Sequence, residues 1–266
     1  MQPVLINAAD VSGLVGRLWW PSLRIAGFVL AAPIASEVVI PGRVKIVLTL
    51  ALAFVLAPVT QVPAALSIFS APGLLTAIQE LIIGVAIGMV MQLAFDGLTF
   101  AGQTISMSMG LGFATLVDPQ RGASVPVLGQ LVSIMGTLSY LAINGHLVLL
   151  GALANSFRTL PIGAANIDKD FLLAVAIWGS RICETGLLVA LPAMISLVIV
   201  NMALGVVARA APQLNLFGIG FTVTLLCGFF VLMVGLDGIM NGISTLLDNA
   251  LRAVLDLVGT RSAGAH

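Results

Sequence analysis

Long stretches of this chain carry no charge, and that restricts its fold more than any single motif. Ile46–Gln79, Gly97–Val117, Gly122–Phe157, Thr185–Ala208 and Ala210–Gly235 contain no Asp, Glu, Lys or Arg. Water-soluble domains carry about 25% charged residues. Here 8% of 266 residues are charged, 59% are hydrophobic, and the mean hydropathy is +1.14. Several of the runs exceed the roughly 20 apolar residues that cross a bilayer. The chain is therefore membrane-associated and all-α, and we read residues 1–266 as one domain.

Composition removes several functions. Net charge is zero, so no basic surface points to nucleic acid. Cys183 and Cys227 lie in apolar stretches and show neither metal-ligand spacing nor a disulfide framework. They are expected to be small buried hydrophobes. The N-terminus lacks the basic n-region and small-residue cleavage site of a signal peptide, and Arg17 is the first basic residue. It is read as part of the mature protein, with 1–10 a short tail.

The pattern predicts six long apolar helices and one amphipathic one. The first covers about 11–35 and ends near Pro33, with a turn at 36–43 containing Pro41-Gly42. The second covers 43–59 and is stopped by Pro58 and Pro63. The third, 73–100, carries Glu80 and Asp96. A Gly/Ser/Met-rich region, 102–118, closes with Asp118-Pro119. The fourth covers 125–156, followed by a polar loop at 157–170. The fifth, 171–208, is either one helix bent at Pro192 or a pair. The sixth covers 213–236. Over 237–258, Asp237, Asn241, Thr245, Asp248 and Arg252 share one face. Ile239, Ile243, Leu246, Leu247 and Leu251 share the other, which makes an amphipathic helix for a protein or membrane surface.

Basic residues do not orient these spans. With the Arg43/Lys45 turn inside and sides alternating, Arg121 and Arg209 also fall inside, but Arg158, Lys169, Arg252 and Arg261 fall outside. An even split carries no signal under the positive-inside rule. Either two apolar stretches are hairpins, or the helices do not finally cross lipid in the usual way.

Catalytic motifs are missing. There is no GxSxG, HExxH or Walker loop, and Gly110-Leu-Gly112 lacks the third glycine of a dinucleotide fingerprint. Histidine occurs only at His146 and His266. His146, in Asn144-Gly145-His146, is read as a packing or capping residue. No enzyme activity, metal or cofactor is expected. Charges within apolar helices cost about 2.5–3.5 kcal/mol each at a helix centre. Arg24, Glu80, Asp96, Arg181, Glu184 and Arg209 therefore need partners, helix-end positions or subunit contacts, and Arg181 and Glu184 are spaced i, i+3 for local pairing. Gly84 and Gly88 form a GxxxG motif suited to close helix approach. Gly102, Ser106, Gly110 and Ala114 repeat every four residues, with Met107, Met109 and Phe113 between them. This stretch fits either a tight helix crossing or a deformable apolar constriction.

Several blocks then resemble a known family. Met109-Gly-Leu-Gly-Phe-Ala-Thr-Leu-Val-Asp-Pro119, Asn144-Gly-His146, Leu160-Pro-Ile-Gly163 and Asn201-Met-Ala-Leu-Gly-Val-Val-Ala-Arg-Ala-Ala-Pro-Gln-Leu-Asn-Leu-Phe217 resemble the FliR family of flagellar export-gate proteins and its injectisome relatives, the SctT family. Ala32–Glu37, Pro41–Lys45 and Gln79-Glu80 fit as well, and the resemblance runs from about 10 to 258. One departure is Thr222, where the family often has proline. The resemblance implies a fusion of P-like and Q-like partner subunits that completes a helical assembly with them in the flagellar basal body at the bacterial inner membrane. Such an assembly is drawn out of the membrane plane, which would account for the uninformative charge pattern. It implies further contacts with B-like and A-like export-apparatus subunits, lipid and unfolded exported proteins, but no nucleic acid. Export would be driven by an associated ATPase and the proton gradient. The segment matching 102–118 would be a plug in the channel, so Met107, Met109, Gly110, Gly112 and Phe113 become gate candidates. Gly84, Gly88, Glu80, Arg209 and Gln213 become packing or partner-contact candidates. A small-molecule secondary transporter and an injectisome subunit stay open as alternatives. The first would need charges converging on a midplane site and usually an internal repeat.

Overall fold

In hydrocarbon every backbone N–H and C=O must be satisfied within its own segment, so uninterrupted apolar runs fold as helices. The computed structural model describes residues 8–63, 70–111, 127–163, 169–210 and 216–259. Within them are α1 (Ala8–Ala31), α2 (Gly42–Leu56), α3 (Ala71–Ser108), α4 (Val127–Ala142), α5 (Gly145–Thr159), α6 (Lys169–Ala210) and α7 (Leu216–Gly259), and no strand. Four stretches are long and apolar enough to cross a membrane: Gly42–Val59, Ala71–Ser108, Phe171–Val207 and Gly220–Gly259. The α4–α5 pair would make one further, broken span.

Local chemistry sets the helix ends. Extended Pro41 precedes α2, and Pro58 turns its end into a short 3-10 segment, Ala57–Val59. At the start of α3 the Ser70 hydroxyl accepts the Gly73 N–H at 3.1 Å, a side-chain cap for an otherwise unpaired donor. Helix α4 stops at Asn144, which adopts φ +56°. The Asn144 N–H donates to Leu141 O at 3.0 Å, and α5 leaves at 66°.

The structure corrects the expected helix list in three places and, at Pro192, decides between the two alternatives. The single helix 125–156 is two helices with a corner, and Asn144-Gly145-His146 is that corner rather than a helix interior. Pro192 leaves α6 as one helix of 42 residues. The sixth helix and the amphipathic tail form one helix of 44 residues. Residues 101–108, placed beyond the end of the third helix, extend α3. The cysteines also differ from expectation: Cys183 is exposed and Cys227 half-buried, because α6 and α7 each turn apolar surface outward. The tail's two faces are as expected. Ile239, Ile243, Leu246, Leu247 and Leu251 are buried, while Asp237, Asn241, Thr245, Asp248 and Arg252 are exposed.

The chain packs as two compact units, each discontinuous in sequence. The first comprises 1–92, 145–178 and 250–266; the second comprises 93–144 and 179–249. Trp20, Ile25, Phe28, Ile83, Ile87, Met91 and Leu153 fill the first core. Leu98, Ile105, Met109, Tyr140 and Leu197 fill the second, where Phe95 meets Tyr140 edge-to-face with ring centroids 5.5 Å apart.

Candidate functional site

In the first unit, a charged cluster joins three helices. Arg24 of α1 is fully buried. Its Nε donates to Glu80 Oε2 at 2.6 Å and its Nη2 to Glu80 Oε1 at 3.0 Å, a bidentate pair with α3. Nη1 donates to Ser156 O at 2.8 Å and Ser156 Oγ at 3.1 Å. Nη2 also donates to Leu160 O at 2.8 Å. A guanidinium has five N–H donors, and these bonds use all of them. The Phe157 ring lies 4.5 Å from the guanidinium carbon, adding a cation–π contact. Ser156 Oγ in turn donates to Leu153 O at 2.6 Å.

Small residues let the helices come close enough for this. A Cβ on Gly84 would run into the Arg24 carbonyl, and one on Gly88 would lie 2.7 Å from Ala32 N. The GxxxG face of α3 therefore packs on α1 of the same chain. Glu80, Gly84 and Gly88 thus converge at one helix crossing.

In the second unit, the end of α3 carries the gate candidates. Gly110 adopts φ +81°. Its N–H donates to Met107 O at 3.0 Å, and the Leu111 N–H donates to Ser106 O at 3.1 Å. That pair of bonds is a Schellman cap with Gly110 in the left-handed position, which terminates α3. Met107 and Met109 part company there: Met109 is fully buried, whereas Met107 is 70% exposed. Ser106 is buried, and a Cβ on Gly102 would lie 2.6 Å from Leu128 O and 2.7 Å from Gly129 Cα. Gly102 thus packs on α4. Gly112, Phe113 and Gln213 lie outside the described residues. Arg209 is exposed in the last turn of α6, where a cation complements the helix dipole. Arg181 and Glu184 are both exposed.

The family model for bacterial export proteins, family 1, matches residues 15–250. The chain belongs to that family. It is similar to the protein named flagellar biosynthetic protein FliR of Escherichia coli K12, at 42% identity over 211 residues covering 79% of this chain and 80% of that one. The protein of the same name from Pectobacterium carotovorum is 39% identical over 226 residues, covering 85% and 86%. The Bacillus subtilis 168 protein is 29% identical over 243 residues, covering 89% and 93%. In this member of the export family, sequence reasoning flagged Arg24 and Glu80 but did not pair them, and it missed Ser156 and Leu160, whose oxygens accept from Arg24. Intramembrane charges tend to pair, so Arg24 and Glu80 were each detectable as needing a partner. Asn201, Phe221, Thr224 and Gly228, which surround the end of α3, were not singled out as site residues.

Proposed function

We propose that this chain is a subunit of the flagellar type III protein-export gate in the bacterial inner membrane, contributing part of the export channel and its closed plug. The 42% identity to a flagellar biosynthetic protein across four-fifths of both chains carries the proposal. Membership of the bacterial export proteins and the long apolar helices agree with it. Exposed apolar side chains such as Phe54, Leu74, Met202 and Met233, each more than 60% exposed, require cover by lipid or partner subunits. We assign that cover to P-like and Q-like subunits, with B-like and A-like subunits of the apparatus adjoining. The cargo is unfolded flagellar protein. The plug is the 102–118 region, in which apolar side chains exclude water and ions while methionine adapts to a passing polypeptide. For a secondary transporter, Glu80 would need an open coordination position, and here both its oxygens face Arg24.

Deletion tests this directly. A clean deletion strain is expected to lose motility and to stop exporting hook and filament subunits, with both restored by the gene in trans. Normal filaments in the deletion strain would overturn the proposal.

A further inference from the structure

The last turn of α3 meets a single stripe of α7. Phe221, Thr224 and Gly228 are spaced i, i+3, i+7 and so lie on one face; Phe221 and Gly228 lie against different parts of that turn, and Thr224 is linked to it through Asn201. A Cβ on Gly110 would lie 3.5 Å from Phe221 Cδ2. A Cβ on Gly228 would lie 2.5 Å from Met109 Cε, 2.7 Å from Cγ and 2.9 Å from Sδ, so the missing side chain is the slot that Met109 fills. Thr224 is buried and donates from Oγ1 to Asn201 Oδ1 at 3.2 Å. Asn201, on α6, donates from Nδ2 to Ser108 O at 3.4 Å. Ser108 is the last residue of α3, and carbonyls at a helix C-terminus need a donor from outside the helix. One amide thus joins the end of α3 to α6 and α7.

We propose that Asn201, Phe221, Thr224 and Gly228 form a seat that holds the base of the plug in the closed position, with Met109 as the seated residue. The inference rests on reading 102–118 as the plug. It changes the role of Met109. That side chain closes the channel from behind, by fixing where α3 ends, and the channel wall is not its place. The Schellman cap at Gly110 gives the seat a defined edge, since α3 stops there with both of its cap bonds made. The four residues are positioning residues, acting on the channel through α3.

The Met109–Gly228 fit allows a compensation test in the full chain with its partner subunits present. Ion or small-solute influx is measured beside the amount of complex recovered after mild detergent extraction. Deletion of Gly110–Phe113 is the leaky reference for the plug itself. Gly228→Ala pushes on Met109, and Met109→Ala empties the slot. Each is expected to raise the leak about tenfold at similar complex recovery, the effect of roughly 1.4 kcal/mol on a closed–open equilibrium. The double variant Met109→Ala/Gly228→Ala should leak less than either single one, because the new methyl falls where the Met109 side chain had been. Thr224→Val and Asn201→Leu should leak in the same direction by smaller factors. If Gly228→Ala lowers complex recovery, Thr224→Val decides: a leak at full recovery supports the seat, and none overturns it. Equal or summed leaks in the double variant would show that Met109 and Gly228 act separately, which overturns the seat. Tight single variants beside a leaky deletion overturn the seat and leave the plug. A tight deletion overturns the plug, and the seat with it.

Discussion

The two units hold their helices together by opposite means. In the first, α1, α3 and the end of α5 meet at a charge whose every donor is used. In the second, α3 meets α4, α6 and α7 through glycines, methionine and one amide. A saturated charged cluster has one low-energy arrangement, since losing any partner strands a buried donor or acceptor. Apolar contacts through small residues and methionine tolerate sliding and repacking. Rigidity is therefore concentrated in the first unit, and the second, where the gate candidates lie, keeps the softer packing that the proposed plug would need.

The largest effect is expected where the charge is stranded. Arg24→Leu leaves the Glu80 carboxylate buried without its cation and removes the donors to Ser156 O and Leu160 O. The expected loss is about 3–5 kcal/mol, read as collapse of folded yield and of thermal stability in detergent. Exchanging the pair as Arg24→Glu with Glu80→Arg should not rescue it, because a carboxylate at position 24 would face the two carbonyls. Full rescue by the exchange would show that only the Coulomb attraction matters, and the contrast between the units would weaken.

Next comes the crossing that brings the charges together. Gly84→Ala places a methyl against the backbone of Arg24 and Phe28, atoms that can shift only by moving α1. A cost of about 1–3 kcal/mol is expected, measured by the same thermal unfolding. Since α1 must move, Arg24 is drawn from Glu80, and the double variant Gly84→Ala/Arg24→Leu should lose less than the sum of the two. Additive losses would separate the glycine contact from the charged cluster.

Much of this was legible before any coordinates, and the omissions have physical causes. Hydropathy located every long helix, because length and absence of charge are local properties. The corner at Asn144 was missed because apolar residues continue through it; Asn-Gly is a turn signal, but it was outweighed by the surrounding run. Separating the tail from the sixth helix mistook a change in environment for a break: α7 is apolar on more faces before Asp237 and on one face after it. Glu80 could be flagged from its cost in an apolar helix, yet its partner lies 56 residues away, and local spacing suggested only Arg181 with Glu184. The four-residue ridge of Gly102 and Ser106 was visible as a pattern, whereas its partner Gly129 sits on another helix. Gly228 had no neighbour in sequence to mark it, since the reason for its small size is Met109.

The smallest expected effect is at Gly205, and it sharpens the comparison from the other side. Gly84 and Gly228 are glycine because something occupies the space of a Cβ. Gly205, in the interior of α6, has nothing within 4 Å of that position among the described residues. A helical glycine without a packing role costs about 0.5–1 kcal/mol relative to alanine. Gly205→Ala should therefore stabilise the isolated chain by about that amount, visible as a small rise in unfolding temperature in detergent. A loss of stability would mean that the softer packing of the second unit is less open than its geometry indicates. The same variant co-expressed with P-like and Q-like subunits separates two causes for the glycine. If native mass spectrometry recovers the complex in full, α6 has no tight contact at Gly205. If the isolated chain gains stability while the complex is lost, the space left open by the described residues is filled by a partner, and the small residue serves the assembly.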